Sequence, residues 1–404
     1  MKALKKWNIF MLIIILILTM FTVPVSAEAR KREKPKDDNK TTVNLFVNTK
    51  TRLKLNNAPK GQKIKWSSNN KKIVAVTQKG KVTAKKAGKA KITAKAGREK
   101  HTFLITVKKK VKLKNTKGKN ASEVTALKKI IETQILQGAS VSTDLNKSSQ
   151  YTWNEDGRLI ELHWNEKKLK DSLSLKKLPS LIVLECGQNG LTSLNVSKNK
   201  ALEKLDCSYN YLEALNVSTN TLLENLDCLN NELNTLDISR NTALKSLNCR
   251  RNDLTALDTG NNTALEYLNC SYNELTHLDM HRNTALTYFE CSKNRLTTLD
   301  VSSNTALTSL DCCRNELTTL DVSSNAALKL LYCSYNKLTH LDVSKNTVLF
   351  ALCCEDNHLT GLDISNNPGL EFLDCRNNKI TNLDIRKNTV LEDLLYDNNV
   401  NVIQ

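Results

Sequence analysis

One segment, written repeatedly, constrains this chain more than any other feature. From Leu181 the sequence repeats with a period of 21: residues 265–285 read LEYLNCSYNELTHLDMHRNTA and residues 286–306 read LTYFECSKNRLTTLDVSSNTA. Cysteine holds the sixth position of ten successive units, from Cys186 to Cys375, and Tyr396 takes that register in the last, incomplete unit. Asparagine fills the ninth position from Asn189 to Asn399 and the nineteenth from Asn199 to Asn388. A unit this short cannot bury its own apolar face, so units must stack to build a continuous core. Side chains alternate along Leu268-Asn269-Cys270, which turns Leu and Cys inward and Asn outward. Every position of the unit then becomes a column, spaced by roughly 4.8 Å along the array.

The unit resembles the leucine-rich repeat L-x-x-L-x-L-x-x-N-x-L, with cysteine in the third apolar slot. More narrowly it resembles the nested bacterial class of 21 residues, in which a second half such as LTTLDVSSN echoes the first. The resemblance covers residues 159–404, with LIELHWNEKKLKDSLSLKKLPS (159–180) as a divergent first unit carrying Trp164 in the cysteine place. Before it, residues 122–138 show helical spacing between Ser122, a capping residue, and Gly138, a stop. QYTWNEDGRLIELHW then reads as a hairpin turning at Asp156-Gly157. Residues 122–158 are therefore expected to be the cap that covers the first unit's open core.

The ladder cysteines are expected to be free packing thiols. Neighbours are close enough for disulfides, but same-register side chains on parallel strands point the same way. A flat column also cannot surround zinc tetrahedrally. Cys313 and Cys353 sit one residue off the ladder and are expected to show exposed thiols. The aspartate column Asp237, Asp258, Asp279, Asp300, Asp321, Asp342, Asp363 and Asp384 reads as turn caps rather than calcium ligands. No metal or cofactor is expected.

Residues 43–110 alternate as strands do, with turns at Asn69-Asn70, Lys79-Gly80 and Ala87-Gly88. Trp66-Ser67-Ser68, Ile73-Val74-Ala75-Val76, Gly80-Lys81-Val82-Thr83-Ala84 and Ala90-Lys91-Ile92-Thr93-Ala94 resemble the bacterial immunoglobulin-like domain of group 2. That resemblance implies a small β-sandwich serving as a stalk or adhesive module on a bacterial surface. Residues 111–121 read as a linker. The expected fold class is mainly β: a small Ig-like sandwich followed by a capped leucine-rich-repeat solenoid.

Residues 1–27 have the three parts of a secretory signal: Lys2, Lys5 and Lys6, an apolar run, and Val25-Ser26-Ala27. Residues 28–42 are charged and lack large apolar side chains, as a flexible tether does. Removal of the signal leaves no transmembrane segment, so a secreted, cell-surface-associated protein is expected. The net charge of +19 is unevenly distributed, since residues 28–120 hold 30 Lys and Arg against 5 Asp and Glu. That segment is expected to hold an anionic cell-wall polymer; nucleic acid is not an expected partner.

The chain lacks H-E-x-x-H, a phosphate-cradling glycine loop, G-x-S-x-G and a plausible Cys-His pair, so it reads as a non-enzyme. The outward strand face is the remaining place for function. Arg250, Arg251, Tyr267, Tyr272 and Tyr288 cluster in neighbouring units there, and Tyr332 and Tyr335 form a second group. Tyr and Arg bury large areas at low entropic cost, which makes these the candidate contacts for a protein or glycan ligand on a host or neighbouring cell. The alternative is a structural envelope or matrix protein whose array spaces or self-associates.

Overall fold

The computed structural model describes residues 40–55 and 62–404; the expected signal and most of the expected tether lie outside them. The chain divides into two compact units between Lys109 and Lys110.

The first unit is a two-sheet sandwich of seven short strands: β1 (Lys40–Phe46), β2 (Lys50–Arg52), β3 (Lys65–Ser68), β4 (Val74–Val76), β5 (Lys81–Ala84), β6 (Gly88–Ala96) and β7 (Glu99–Lys108). One sheet has the order β1-β7-β6-β3 and the other β2-β5-β4. β1 begins inside the expected tether because Lys40–Thr42 pair in parallel with Thr102–Leu104. Alternation along β6 and β7 sends Ala90, Ile92, Phe103 and Ile105 into a core with Trp66, Val74 and Val82. Trp66 stacks on Phe103 with ring centroids 5.7 Å apart. The turn before β5 requires glycine: Gly80 has φ +72°, and a Cβ there would lie 2.8 Å from the Leu53 carbonyl oxygen.

The second unit opens with helix α1 (Ala121–Gln137). Its N-cap is Asn120 rather than Ser122, because Asn120 Oδ1 accepts from the Ser122 and Glu123 N–H groups at 3.1 and 3.2 Å. Gly138 ends the helix at φ 107°, in the left-handed conformation that glycine adopts without penalty. The hairpin β8 (Tyr151–Trp153) and β9 (Leu159–His163) turns at Gly157, as its sequence indicates. β10 (Lys170–Ser174) pairs with β12 (Gly190–Asn195) on the opposite side of the first turns, with β11 (Val183–Glu185) between them in sequence.

From there each unit contributes one three-residue strand: β13 (Lys204–Asp206), β14 (Asn225–Asp227), β15 (Ser246–Asn248), β16 (Tyr267–Asn269), β17 (Tyr288–Glu290) and β18 (Ser309–Asp311). β19 (Leu330–Tyr332), β20 (Ala351–Cys353), β21 (Phe372–Asp374), β22 (Asn382–Asp384), β23 (Asp393–Leu395) and β24 (Asn401–Ile403) follow. All but β10, β12, β22 and β24 join one 13-stranded sheet, parallel throughout apart from β8. The register is unbroken, Leu247 opposite Leu268, then Phe289, then Leu310. Inside, Leu268, Phe289 and Leu310 are fully buried beside the ladder cysteines, and Trp164 closes the cysteine column beneath an edge-on Tyr151 ring.

Candidate ligand-binding face

Three polar columns prove to be structural. The ninth-position asparagines from Asn189 to Asn378 turn inward and bond backbone that the strands leave open. Asn273 Nδ2 donates to the carbonyls of Cys249 at 3.1 Å and Cys270 at 3.0 Å, while its Oδ1 accepts from Leu254 N at 3.0 Å. The nineteenth-position asparagines bridge units likewise: Asn325 Nδ2 reaches the carbonyls of Val301 and Asn304 at 3.0 and 2.9 Å. The aspartates of the second half cap turns, each accepting the N–H two residues ahead, as Asp300 does from Ser302 at 2.9 Å. Hydrogen bonding to Ser302 holds the Asp300 carboxyl below its ordinary range.

All twelve cysteines are free and buried. Burial pushes the ladder thiols upward, Cys375 to about 12. Cys313 and Cys353 correct the sequence reading. They lie off the ladder, yet only 5% and 8% of their surface is accessible. Outward columns of a parallel sheet crowd one another at strand spacing, and Tyr332 lies in the unit between the two cysteines. Burial raises both thiols far above the usual range, so neither is an exposed nucleophile.

The first aromatic cluster does assemble. Tyr267 and Tyr288 occupy opposed positions on β16 and β17, and their rings stack 5.0 Å apart at 11°. Tyr272 stands beyond the end of β16 with three cations around its ring: Arg250 at 4.7 Å, Arg251 at 5.0 Å and Lys293 at 4.4 Å. Burial raises the Tyr272 phenol, but Lys293 and Arg250 outweigh it and hold the group below its ordinary range. Arg250 Nε is buried without a hydrogen-bond partner among the described residues. The second group does not assemble in the same way. Tyr332 is 2% exposed and has an unpartnered hydroxyl, whereas Tyr335 lies under Arg314 at 3.9 Å.

Two features escape sequence reasoning. The eighth position leaves the strand in a left-handed conformation throughout the array: Arg251, Tyr272, Lys293, Arg314 and Tyr335 have φ between 53° and 58°. Side chains other than Gly, Asn and Asp are uncommon there, at a cost of roughly 1 kcal/mol or more each. The signal was present in the same column as Asn230, Asp356 and Asn377, the residue types most at home with positive φ. The second feature is buried acid on the outward face. Glu290 accepts hydrogen bonds from Asn269 and from the Tyr288 hydroxyl, and Asp311 accepts from Cys313 N at 3.0 Å. Burial raises both carboxyls above their ordinary range. The fifth-position aspartates are thus turn caps, since Asp206 and Asp227 bond the N–H two residues on in the same way as Asp311.

Among the described residues no group of three His, Cys, Asp or Glu side chains is placed to hold a metal ion, and no helix is long and apolar enough to cross a membrane.

The molecule therefore joins an immunoglobulin-like sandwich to a leucine-rich-repeat solenoid whose outward face carries an aromatic and cationic cluster. Residues 36–107 match the bacterial Ig-like domain (group 2), so the first unit is a domain of that kind. The array is similar to the functional domain of InlJ from Listeria monocytogenes, described as including a cysteine ladder, at 34% identity and TM-score 0.54. That match covers 66% of this chain, which spans 64% of the Listeria structure. A leucine-rich-repeat protein of Leptospira interrogans shares the fold at 24% identity and TM-score 0.51, over 59% of this chain and 72% of that one. So does the ectodomain of the Arabidopsis receptor kinase HAESA, solved with a peptide hormone, at 22% identity and TM-score 0.54, over 62% of this chain and 48% of that one. No curated protein sequence matches the chain.

Proposed function

We propose that this is an exported bacterial surface protein that binds a protein partner through the outward face of its repeat sheet. In this reading the basic Ig-like unit is a stalk held electrostatically to anionic wall polymer. The observation that carries it is the half-buried Arg250 guanidinium packed against Tyr272, whose ring Arg251 and Lys293 also flank. The Tyr267–Tyr288 stack supplies rigid aromatic area of the kind that anchors protein interfaces. The likeness to the Listeria InlJ domain supports a surface role, and the Arabidopsis ectodomain of the same fold is in complex with a peptide hormone ligand. The chain's non-enzymatic reading belongs with this function.

The test uses the intact chain, binding to host cells and to purified bacterial walls across a salt series. Wall binding should fall steeply with salt and be indifferent to Tyr267→Ala and Arg250→Ala. Cell binding should depend little on salt and weaken at least tenfold in both variants. If the variants bind cells as the parent does, or neither binds at all, the receptor reading falls and a structural envelope role becomes the better account.

A further inference from the structure

The cap carries a groove that the repeat face does not explain. It runs between α1 and β10, with a volume of about 450 Å³, and continues towards Arg158 and Pro179 as a second hollow of about 630 Å³ sharing Ser122, Thr125, Lys176 and Lys177. Lys129, Lys176 and Lys177 line it, and none has an ion-pair partner among the described residues. The acid at its end, Glu123, is already neutralised by Arg158 at 2.9 Å. The groove is therefore cationic, on a unit whose residues 121–404 carry 27 Lys and Arg against 36 Asp and Glu.

Its other lining groups are hydroxyls. Thr125 and Thr133 donate to the carbonyls of Ala121 and Lys129 at 2.8 and 2.9 Å, which leaves their oxygens open as acceptors. Ser172 and Ser174 hydroxyls on β10 make no hydrogen bond among the described residues. Ala126 and Ile130 add a small apolar strip. Ser122 to Thr133 spans eleven residues of helix, about 16 Å, room for several linked sugar or polyol units.

A peptide strand is poorly served here. The backbone edge that β10 presents to α1 is taken by Gln134, whose Nε2 donates to the carbonyls of Lys170 and Ser172 at 3.2 Å and whose Oε1 accepts from Lys170 N at 3.0 Å. Strand addition needs that edge free. Recognition must run through side-chain charge and hydroxyls.

We infer that the α1–β10 groove is a binding site for an anionic, hydroxyl-rich oligomer: a sugar or polyol chain bearing phosphate or carboxylate groups. The site is independent of the repeat face and of the basic first unit. Lys129, Lys176 and Lys177 hold the anionic groups, the Ser and Thr hydroxyls bond the ligand's hydroxyls, and Ala126 with Ile130 packs against its carbon skeleton.

The test follows hydrogen exchange along the full chain, which separates this site from polyanion binding by the first unit. The probes are a glycerol-phosphate oligomer, an oligogalacturonide, a neutral dextran oligomer and a polyglutamate peptide of matched charge. Either or both of the first two should protect residues 121–137 and 170–177, and which of them does so identifies phosphate or carboxylate as the source. The Lys176→Ala/Lys177→Ala variant, altered at two exposed side chains, should keep its circular dichroism and lose at least tenfold in that protection's midpoint. The Arg counterpart should retain it. Equal protection by dextran, or by polyglutamate, overturns the assignment. So does protection confined to residues 40–109, or protection that the Ala variant leaves unchanged.

Discussion

The Thr259 hydroxyl donates to Asn283 Oδ1 at 2.8 Å, across the boundary between two repeats. Elsewhere in that column the position of Thr259 is held by an apolar residue such as Val196 or Val301. The asparagines so placed, including Asn220 and Asn325, leave Oδ1 buried without a partner among the described residues. Val301→Thr would offer a hydroxyl to Asn325 in the same geometry. A buried hydroxyl without an acceptor costs about 1–3 kcal/mol, whereas this one should be within about 0.5 kcal/mol of neutral because it gains and satisfies a partner. Urea midpoints of the two proteins, measured side by side, check it; a clear destabilisation rules out the pairing.

Asn273→Ala strips a buried amide that ties together two adjacent repeats. The N–H of Leu254 loses its acceptor, while the carbonyls of Cys249 and Cys270 each lose one of two donors and keep Asn252 and Asn294. The expected cost is about 1–3 kcal/mol, chiefly from the one N–H left unpaired in the core. A large fall in the denaturation midpoint, with the circular dichroism of the remaining folded fraction unchanged, is the expected result.

No thiol should react with a disulfide reagent in the native protein on the timescale of minutes. Twelve should react after denaturation, since all twelve cysteines are free and buried. Fast native labelling of Cys313 or Cys353 would contradict the packing of Tyr332 between them. A thiolate must form before it can attack, and burial opposes that at every rung.

Stability should rise as pH falls from neutrality towards the mildly acidic range. Burial raises the folded-state carboxyls of Glu290 and Asp311 above their ordinary range. In that window the folded state binds more protons than the unfolded state, so stability declines with increasing pH and is fully present only below the unfolded values. Asp311→Asn keeps the acceptor that caps Cys313 N and removes the charge, as Asn269 does two repeats earlier in the same column. The variant should be more stable than the parent at pH 7 and show a shallower pH slope in thermal melts. A steeper slope would exclude Asp311 as its source. Below the ordinary carboxylate range the trend reverses, because hydrogen bonding lowers Asp300 and Asp321 in the fold.

Much of this architecture was legible because a repeat makes one residue's environment the environment of a whole column. The period of 21 and the Leu-Asn-Cys alternation are enough to define the stacked core, the cysteine ladder and the inward asparagines. Trp66 and Gly80 mark the sandwich in the same local way, through burial alternation and a turn that tolerates no Cβ.

Side-chain crowding between columns is what periodicity leaves open. Alternation says that Cys313, Tyr332 and Glu290 face outward, and they do, but outward is not exposed: strands about 4.8 Å apart let large neighbours cover small ones. Whether Arg250 meets Tyr272, or Tyr267 meets Tyr288, depends on rotamers chosen among several columns at once. The cap groove depends on a helix and a strand more than thirty residues apart in the chain. Inward faces follow from local pattern because one geometry repeats; the outward face and the cap are aperiodic, so only packing in three dimensions decides them.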